Sequence, residues 1–201
     1  MNKKKSFNGL TKKTKENLML DAGAFFKNFT VGEDTYETAK AGGKCIGATK
    51  GGGEFSAKPN IRNIEIDGVK GKAKGMEVID SWDVTLKANL IEVTKDTVST
   101  SLCAAEVDES SNEDYYIIQG KDYIVDDDYI ENITYVGTIS GSDKPVIIQV
   151  LNSINTEGLS LSMQDKSETV IAATFTGHYD DDDDNPPFKI YYPKAKSSQT
   201  L

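Results

Sequence analysis

The sequence predicts a mainly β protein in which two packed antiparallel sheets, arranged as a sandwich or barrel, are flanked by one short α-helix. Apolar and polar residues alternate from Trp82 to Leu90, a period of two that is typical of a strand with one buried and one solvated face. About nine short apolar segments follow one another along the 201 residues, separated by turn-forming residues. Hydrophobic residues make up 37% of the chain, which favours thin β-layers over a thick helical core.

The chain divides into an arm, one domain and a tail. Residues 1–16 are polar and rich in lysine, and we expect a flexible N-terminal arm. Residues 17–192 form a single β domain, which contains an extended hairpin loop at 54–75 and an acidic lobe at 106–131. Residues 193–201 are a polar C-terminal tail.

The first half of the domain is dominated by one long hairpin. Residues 17–29 are strand-like and residues 30–43 are predicted to be a polar loop. A glycine-rich passage then leads into a hairpin from about Glu54 to Val93, with lysines at its tip, because Asp67-Gly68 begins a tight polar connection. The glycines are expected to allow a β-bulge or a close backbone approach between neighbouring chains.

A short helix follows the hairpin. Thr94 is a suitable N-cap and Asp96 places an acid in the first turn, which predicts a helix over residues 95–105 with Val98, Leu102 and Ala105 on one face. Later segments are predicted as strands on the same pattern of apolar runs between turns: YYII and DYIV on either side of Gln119-Gly120, then 129–139, 146–154, 159–163, 169–179 and 188–192.

Charge is distributed unevenly along the chain. Residues 1–15 contain six lysines and no acids, whereas residues 16–201 carry a formal charge of −15. Affinity for DNA depends on neutralising phosphates, so the body is expected to repel nucleic acid. The acidic lobe holds ten acids against Lys121 alone, and the lysine arm is suited to contact an acidic neighbour.

No catalytic centre is predicted, and no cofactor. The chain has one histidine, His178, within a strand pattern beside aspartates, and no Gly-x-Ser-x-Gly elbow to present a serine. The segment Gly47–Gly52 resembles part of a phosphate-binding loop, yet Gly53-Glu54 stands where Lys-Ser/Thr is required. Cys45 and Cys103 lack metal-ligand spacing, and we expect two reduced thiols. We therefore predict that the protein is not an enzyme.

Calcium binding is the alternative that the acidic residues raise. Asp180, Asp182 and Asp184 have the alternating spacing of an EF-hand loop, but Asn185 occupies the glycine position and Tyr191 the position of the bidentate glutamate. We predict solvated acidic loops and no metal site. No apolar run approaches the ~20 residues that cross a bilayer, and Asp21 ends the short apolar run after the N-terminal lysines, so neither a membrane span nor a secretory signal is expected.

Several segments resemble the major tail tube proteins of long-tailed phages of Gram-positive hosts. The resemblance covers residues 17–105 and 145–192, and it lies in the order and spacing of motifs rather than in any single one. The segments are LDAGA (20–24), GATKGG (47–52) with Phe55, IEIDG (64–68), DSWDVTLKANLIEVTKDTVSTSL (80–102) and TFTGHYD (174–180) with a late aromatic strand.

This resemblance implies a structural subunit of the virion tail, assembled in the host cytoplasm. Six copies would form a ring whose inner sheets join around a channel, and rings would stack through a long hairpin loop and a terminal arm. It further implies a tape-measure protein, a tail terminator and a baseplate-side tail protein as partners, and DNA that passes through the lumen without specific binding. Six bodies carry a formal charge of about −90, which screening reduces beyond ~8 Å.

Two groups of residues are the candidates for these roles. The polar face of the alternating strand predicts lumen-facing positions at Asp83, Thr85, Lys87 and Asn89. Ring stacking is assigned to the lysine arm and the hairpin: Lys3, Lys4, Lys5, Lys12, Lys13, Phe55, Ile61, Lys70 and Lys72.

Two other functions remain open from the sequence. One is a tube subunit of a contractile or tail-like injection particle, whose fold would be similar. The other is a secreted β-sandwich adhesin or carbohydrate-binding module, which calcium-dependent glycan binding by a monomer would indicate.

Overall fold

The computed structural model describes residues 8–163, 165–181 and 185–194. The protein is mainly β, as predicted. In these residues, ten strands are accompanied by two short α-helices and two 3₁₀ turns, at Thr14–Asn17 and Asp126–Asp128. The elements are β1 Ala24–Lys27, α1 Tyr36–Ala41, β2 Thr49–Asn63, β3 Glu77–Leu90, α2 Lys95–Ser101, β4 Ala105–Asp108, β5 Ile117–Gly120, β6 Ile130–Gly137, β7 Val146–Asn155, β8 Leu161–Ser162, β9 Val170–Thr176 and β10 Phe188–Tyr191.

Two antiparallel layers share one strand. The first layer contains β1, β6, β7 and β10, and the second contains β2, β3 and β9 with the short β8. The first part of β7 pairs with β6 and β10, whereas Ile154 and Asn155 at its end pair with β9. Asn152 lies two residues before this change of partner, and its φ of 45° is in the left-handed region that asparagine tolerates.

His178 stabilises this part of β7. Its Nδ1 donates to the Asn152 carbonyl oxygen at 3.0 Å, and the Asn152 amide donates to the His178 carbonyl at 3.3 Å. The Tyr129 ring lies edge-on to the imidazole, with centroids 5.1 Å apart. The histidine follows β9 rather than lying within it, so the strand predicted over 169–179 is shorter than expected.

The core fills the space between the two layers. The alternation predicted for β3 is confirmed: every second side chain from Val84 to Leu90 is buried, and the side chains between them face outward. The largest buried members are Phe25, Ile133 and Val150 from the first layer and Val84, Leu86, Leu90, Ile171 and Phe175 from the second. Packing of two apolar faces in this way is the main stabilising contribution in a β-sandwich.

A second apolar cluster covers the outer side of β1. Phe26, Phe29 and Val136 pack there against Ala39 of α1. The prediction of a polar loop over 30–43 was wrong at this point, and so was the expectation of a single helix. Thr35 forms a capping box with Thr38, but the six-residue helix buries one side chain only, which is too little for a helical period to show in the sequence.

The helix predicted over 95–105 ends earlier and buries a different face. Thr94 is its N-cap, as expected, and α2 ends at Ser101. Thr97 and Ser101 are buried rather than Val98, Leu102 and Ala105. The Thr97 hydroxyl donates to the Glu92 carbonyl at 2.8 Å, and the Asn155 amide donates to the Ser101 carbonyl at 2.6 Å. These polar contacts fix the orientation of the helix.

Candidate assembly interface

The outer face of the second layer carries the predicted lumen residues. Asp83 is exposed, and Thr85, Lys87 and Asn89 are half-buried. All four lie on β3 opposite the core-facing residues. The structure therefore brings them together on one polar face, which is the arrangement that a wall in contact with water requires.

This face is close to electrically neutral. Asp83 lies opposite Lys58 of β2, and Lys87 lies opposite Glu54. Opposite charges directly across an antiparallel pair stabilise it by roughly 0.2–1 kcal/mol. The acidic excess of the chain therefore does not lie on these four positions or on their neighbours in β2.

The β2–β3 hairpin extends beyond the rest of the sheet. β9 pairs with residues 85–90 of β3, whereas β2 pairs along its whole length to Glu77. The hairpin extends past the rest of the sheet at Trp82. The backbone N–H of Trp82 donates to the Tyr179 hydroxyl at 2.8 Å, and its ring packs edge-on against Phe188. We call residues 60–81 the distal arm, of which residues 64–76 are the connection between the strands.

A β-bulge and an ion pair shape the distal arm. Asn60 pairs with Ser81 but Ile61 pairs with Ile79, so Asp80 is the extra residue. Its carboxylate accepts from two guanidinium nitrogens of Arg62 at 3.0 and 3.1 Å. Because a bulge bends and twists its strand, this bidentate contact sets the direction in which the arm leaves the body.

The distal arm exposes an unusual amount of apolar surface. Ile61 is 53% exposed and Ile79 is 51% exposed. Further exposed apolar side chains on the arm are Ile64, Ile66, Val69 and Val78. Clusters of this kind mark surfaces that another molecule covers.

The predicted stacking residues fall into three groups. Ile61, Lys70 and Lys72 lie on the distal arm and are exposed, and Lys12 and Lys13 are exposed near the N-terminus. Lys3, Lys4 and Lys5 lie outside the described residues. Phe55 does not belong to a stacking surface: its half-buried ring packs against Phe188 with centroids 5.8 Å apart, at the margin of the core. Its register opposite Leu86 explains why it points inward.

The glycine-rich segment is a packing feature. A bulge lies between the Thr49 and Gly53 pairs of β2, and Gly51 and Gly52 in it have φ of 82° and 67°. A Cβ on Gly53 would lie 2.1 Å from the Lys87 carbonyl oxygen and 2.5 Å from the Phe25 ring. The bulge confirms one of the two alternatives predicted for these glycines. The approach at Gly53 lies within the chain, and a close approach between neighbouring chains stays a prediction.

The acidic lobe is built on the β4–β5 hairpin. The structure corrects the prediction that Gln119-Gly120 separates two strands, because both residues lie in β5 and residues 122–125 are not a strand. We call residues 108–117 the acidic turn. Lys95, at the start of α2, lies 2.7 Å from the Glu109 carboxylate and 4.7 Å from the centre of the Tyr116 ring.

Two carboxylates in the lobe are held in their ionised form. Hydrogen bonds from Ser111 and from Ser110 hold the pKa of Asp108 at about 2. Burial opposes ionisation of Asp128, but contacts from Lys121 at 2.5 Å and from the Val125 N–H outweigh it and keep the pKa of Asp128 below its ordinary value.

Exposed tyrosines in the lobe were not among the predicted site residues. Tyr115 is 72% exposed and Tyr116 is 59% exposed, beside the acids Glu113 and Asp114. Adjacent aromatics in a strongly acidic stretch are the sequence signal that could have identified them, since tyrosine is enriched where proteins contact one another.

Among the described residues there is no group of three His, Cys, Asp or Glu side chains that could hold a metal ion. Asp182 and Asp184 of the calcium alternative lie outside those residues. Cys45 and Cys103 are free and half-buried. A cleft of about 1090 Å³ lies between residues 21–23, α1, the 142–145 turn and residues 191–194. One of the acids that line it, Asp34, is engaged by Lys44 at 2.5 Å and by the Thr30 N–H at 2.7 Å.

No protein-family model matches the chain, and no curated protein is significantly similar to it in sequence. In the part of the chain that the structure describes, none of the helices has the length and apolar character needed to span a bilayer.

Proposed function

We propose that the protein is a structural subunit that assembles with copies of itself into stacked rings, as the tube of a phage tail. The observation that carries this proposal is the distal arm, which extends past the body and exposes apolar side chains on both of its strands. Leaving such side chains in water costs about 25 cal/mol per Å² of apolar surface. A second chain that covers the arm recovers this free energy.

The sheet edges also support assembly. In the described residues, β2 pairs with β3 alone and β10 pairs with β7 alone, so each layer ends in a strand with one side open. Pro59 lies in β2 opposite Trp82, whose N–H is directed to Tyr179. Proline therefore occupies a position on the outer edge where its missing donor costs nothing, and it limits uncontrolled pairing. Ring closure would cover both borders.

Charge supports a passage for DNA rather than a binding site. Residues 16–201 have a formal charge of −15, which disfavours DNA binding because affinity for DNA depends on neutralising phosphates. The four outward positions on β3 remain our candidates for the lumen, with the acidic excess contributed by other residues. Hexameric symmetry and the tape-measure, terminator and baseplate-side partners rest on the family resemblance alone.

The test is negative-stain microscopy with sedimentation of the full chain at rising concentration. We expect annuli and then tubes. A variant in which a Gly-Gly link replaces residues 61–80 removes the distal arm except for its first pair, Asn60 and Ser81. We expect it to remain folded and form annuli without tubes. Deletion of residues 1–15 should likewise shorten or abolish tubes without unfolding the subunit.

A wild-type chain that stays monomeric at every concentration and salt would refute the proposal. Calcium-dependent glycan binding by that monomer would favour the adhesin alternative instead. Tubes from the arm-deleted variant that match those of the wild type would show that the arm has no part in stacking.

A further inference from the structure

The lysine-bearing tip of the distal arm and the acidic turn lie at opposite ends of the subunit. β3 has 14 residues, and a strand of that length spans about 46 Å. The tip precedes its first residue, Glu77. Lys95 follows its last residue, Leu90, by five positions and contacts Glu109 and Tyr116 of the acidic turn.

The tip is basic and apolar. Residues 69–75 contain Lys70, Lys72 and Lys74 and no acid, and all three lysines are exposed. Val69 is exposed beside them. Lys72 lies 3.6 Å from Glu77, so Lys70 and Lys74 are the lysines best placed to contact another molecule.

The acidic turn has the complementary chemistry. Residues 108–117 contain Asp108, Glu109, Glu113 and Asp114 and no basic residue. Its contact with Lys95 shows how a lysine is received there: the ammonium group lies between a carboxylate and the face of a tyrosine ring, which combines an ion pair with a cation–π contact. Tyr115 and the acids next to it are exposed and offer the same groups to a second lysine.

We infer that the acidic turn of one copy is the docking surface for the lysine tip of another copy. Because the two surfaces are different and lie at opposite ends, the contact is head-to-tail and repeats along an axis instead of closing on itself. This inference rests on the proposed function and assigns the partner surface of the arm within it. It also gives the resulting assembly a direction, since every tip points the same way.

Complementation between two charge-reversed variants tests the contact. Lys70→Glu/Lys74→Glu leaves the turn intact, and Glu113→Lys/Asp114→Lys leaves the tip intact. We expect each variant alone to self-associate end to end about tenfold more weakly than wild type at low salt, because exposed charges steer and hold such contacts. Each variant alone brings like charges together, whereas both pairings between the two variants join opposite charges: the native tip meets the native turn, and the acidic tip meets the basic turn. The mixture should therefore give a complex that sediments faster than either component.

A chain carrying all four substitutions restores opposite charges and should recover end-to-end association. Glu33→Lys/Glu37→Lys, near α1, changes the net charge by the same amount as the turn variant and should associate like wild type. Circular dichroism melts check that each variant folds, which we expect because the substituted residues are exposed.

The two proposals fail differently. If the tip and turn variants form tubes as readily as wild type, or if mixing them gives no faster-sedimenting complex, the tip–turn contact is overturned while ring formation stands. If the mixture gives a complex but neither the wild type nor any variant forms annuli, the tip–turn contact is supported and the ring proposal is refuted.

Discussion

Replacing Gly53 with alanine tests whether the glycine-rich segment exists for close packing. The added Cβ would lie 2.1 Å from the Lys87 carbonyl oxygen, well inside the 3.0 Å below which such contacts are essentially never found. The Phe25 ring at 2.5 Å cannot move away, because it is buried and packs against Tyr135 with centroids 5.4 Å apart. β2 must therefore separate locally from β3.

Overpacking of this kind costs about 1–3 kcal/mol in the free energy of unfolding. For a domain of this size each kcal/mol shifts the melting temperature by roughly 2–4 °C, so we expect a decrease of about 2–12 °C by calorimetry or circular dichroism. Gly120→Ala is the control, because nothing lies within 4 Å of its Cβ position. A Gly53→Ala protein that melts with the wild type would refute the packing argument.

Two further predictions concern the arm and the lobe. Arg62→Ala should release Asp80 at the bulge and make the distal arm more susceptible to limited proteolysis. The melting temperature should change little, because the Arg62–Asp80 pair is exposed. Lys58→Ala is the control, and an Arg62→Ala arm that is cleaved no faster than this control would contradict the prediction. Lys121→Met should lower the melting temperature above about pH 4. The lowered pKa of Asp128 means that its ionised carboxylate stabilises the fold in that range. This stabilisation is lost as the pH falls through the folded-state pKa of Asp128, so the difference from wild type should shrink there. A difference from wild type that persists undiminished to pH 2 would show that Asp128 is not its source.

The sequence predicts the β-layers well where apolar periodicity is strong. The alternation around β3 identifies Val84, Leu86 and Leu90 as core residues because burial on one face leaves a period of two. Prediction from apolar periodicity fails for elements that bury few side chains. α1 buries Ala39 alone, and β4, with the sequence AEVD, has too little apolar character to be recognised as the partner of β5.

The assembly surfaces are predicted in part. The lysines at the hairpin tip are visible in the sequence, and they identify the arm. Phe55 is misassigned because its aromatic side chain resembles an exposed anchor, although Phe55 and Ala57 alternate toward the core in register with β3. The exposed Tyr115 and Tyr116 are missed because a Tyr-Tyr-Ile-Ile run has the character of a buried strand.

The strand shared by the two layers has a mechanical consequence. Here β7 continues from one layer into the other as a covalent backbone, and Asn152, close to the change of layer, is hydrogen-bonded to His178. A pull applied to the arm-bearing layer is therefore carried directly into its neighbour. Force spectroscopy of single subunits should accordingly show one rupture for the whole sandwich, without an intermediate in which one layer has detached.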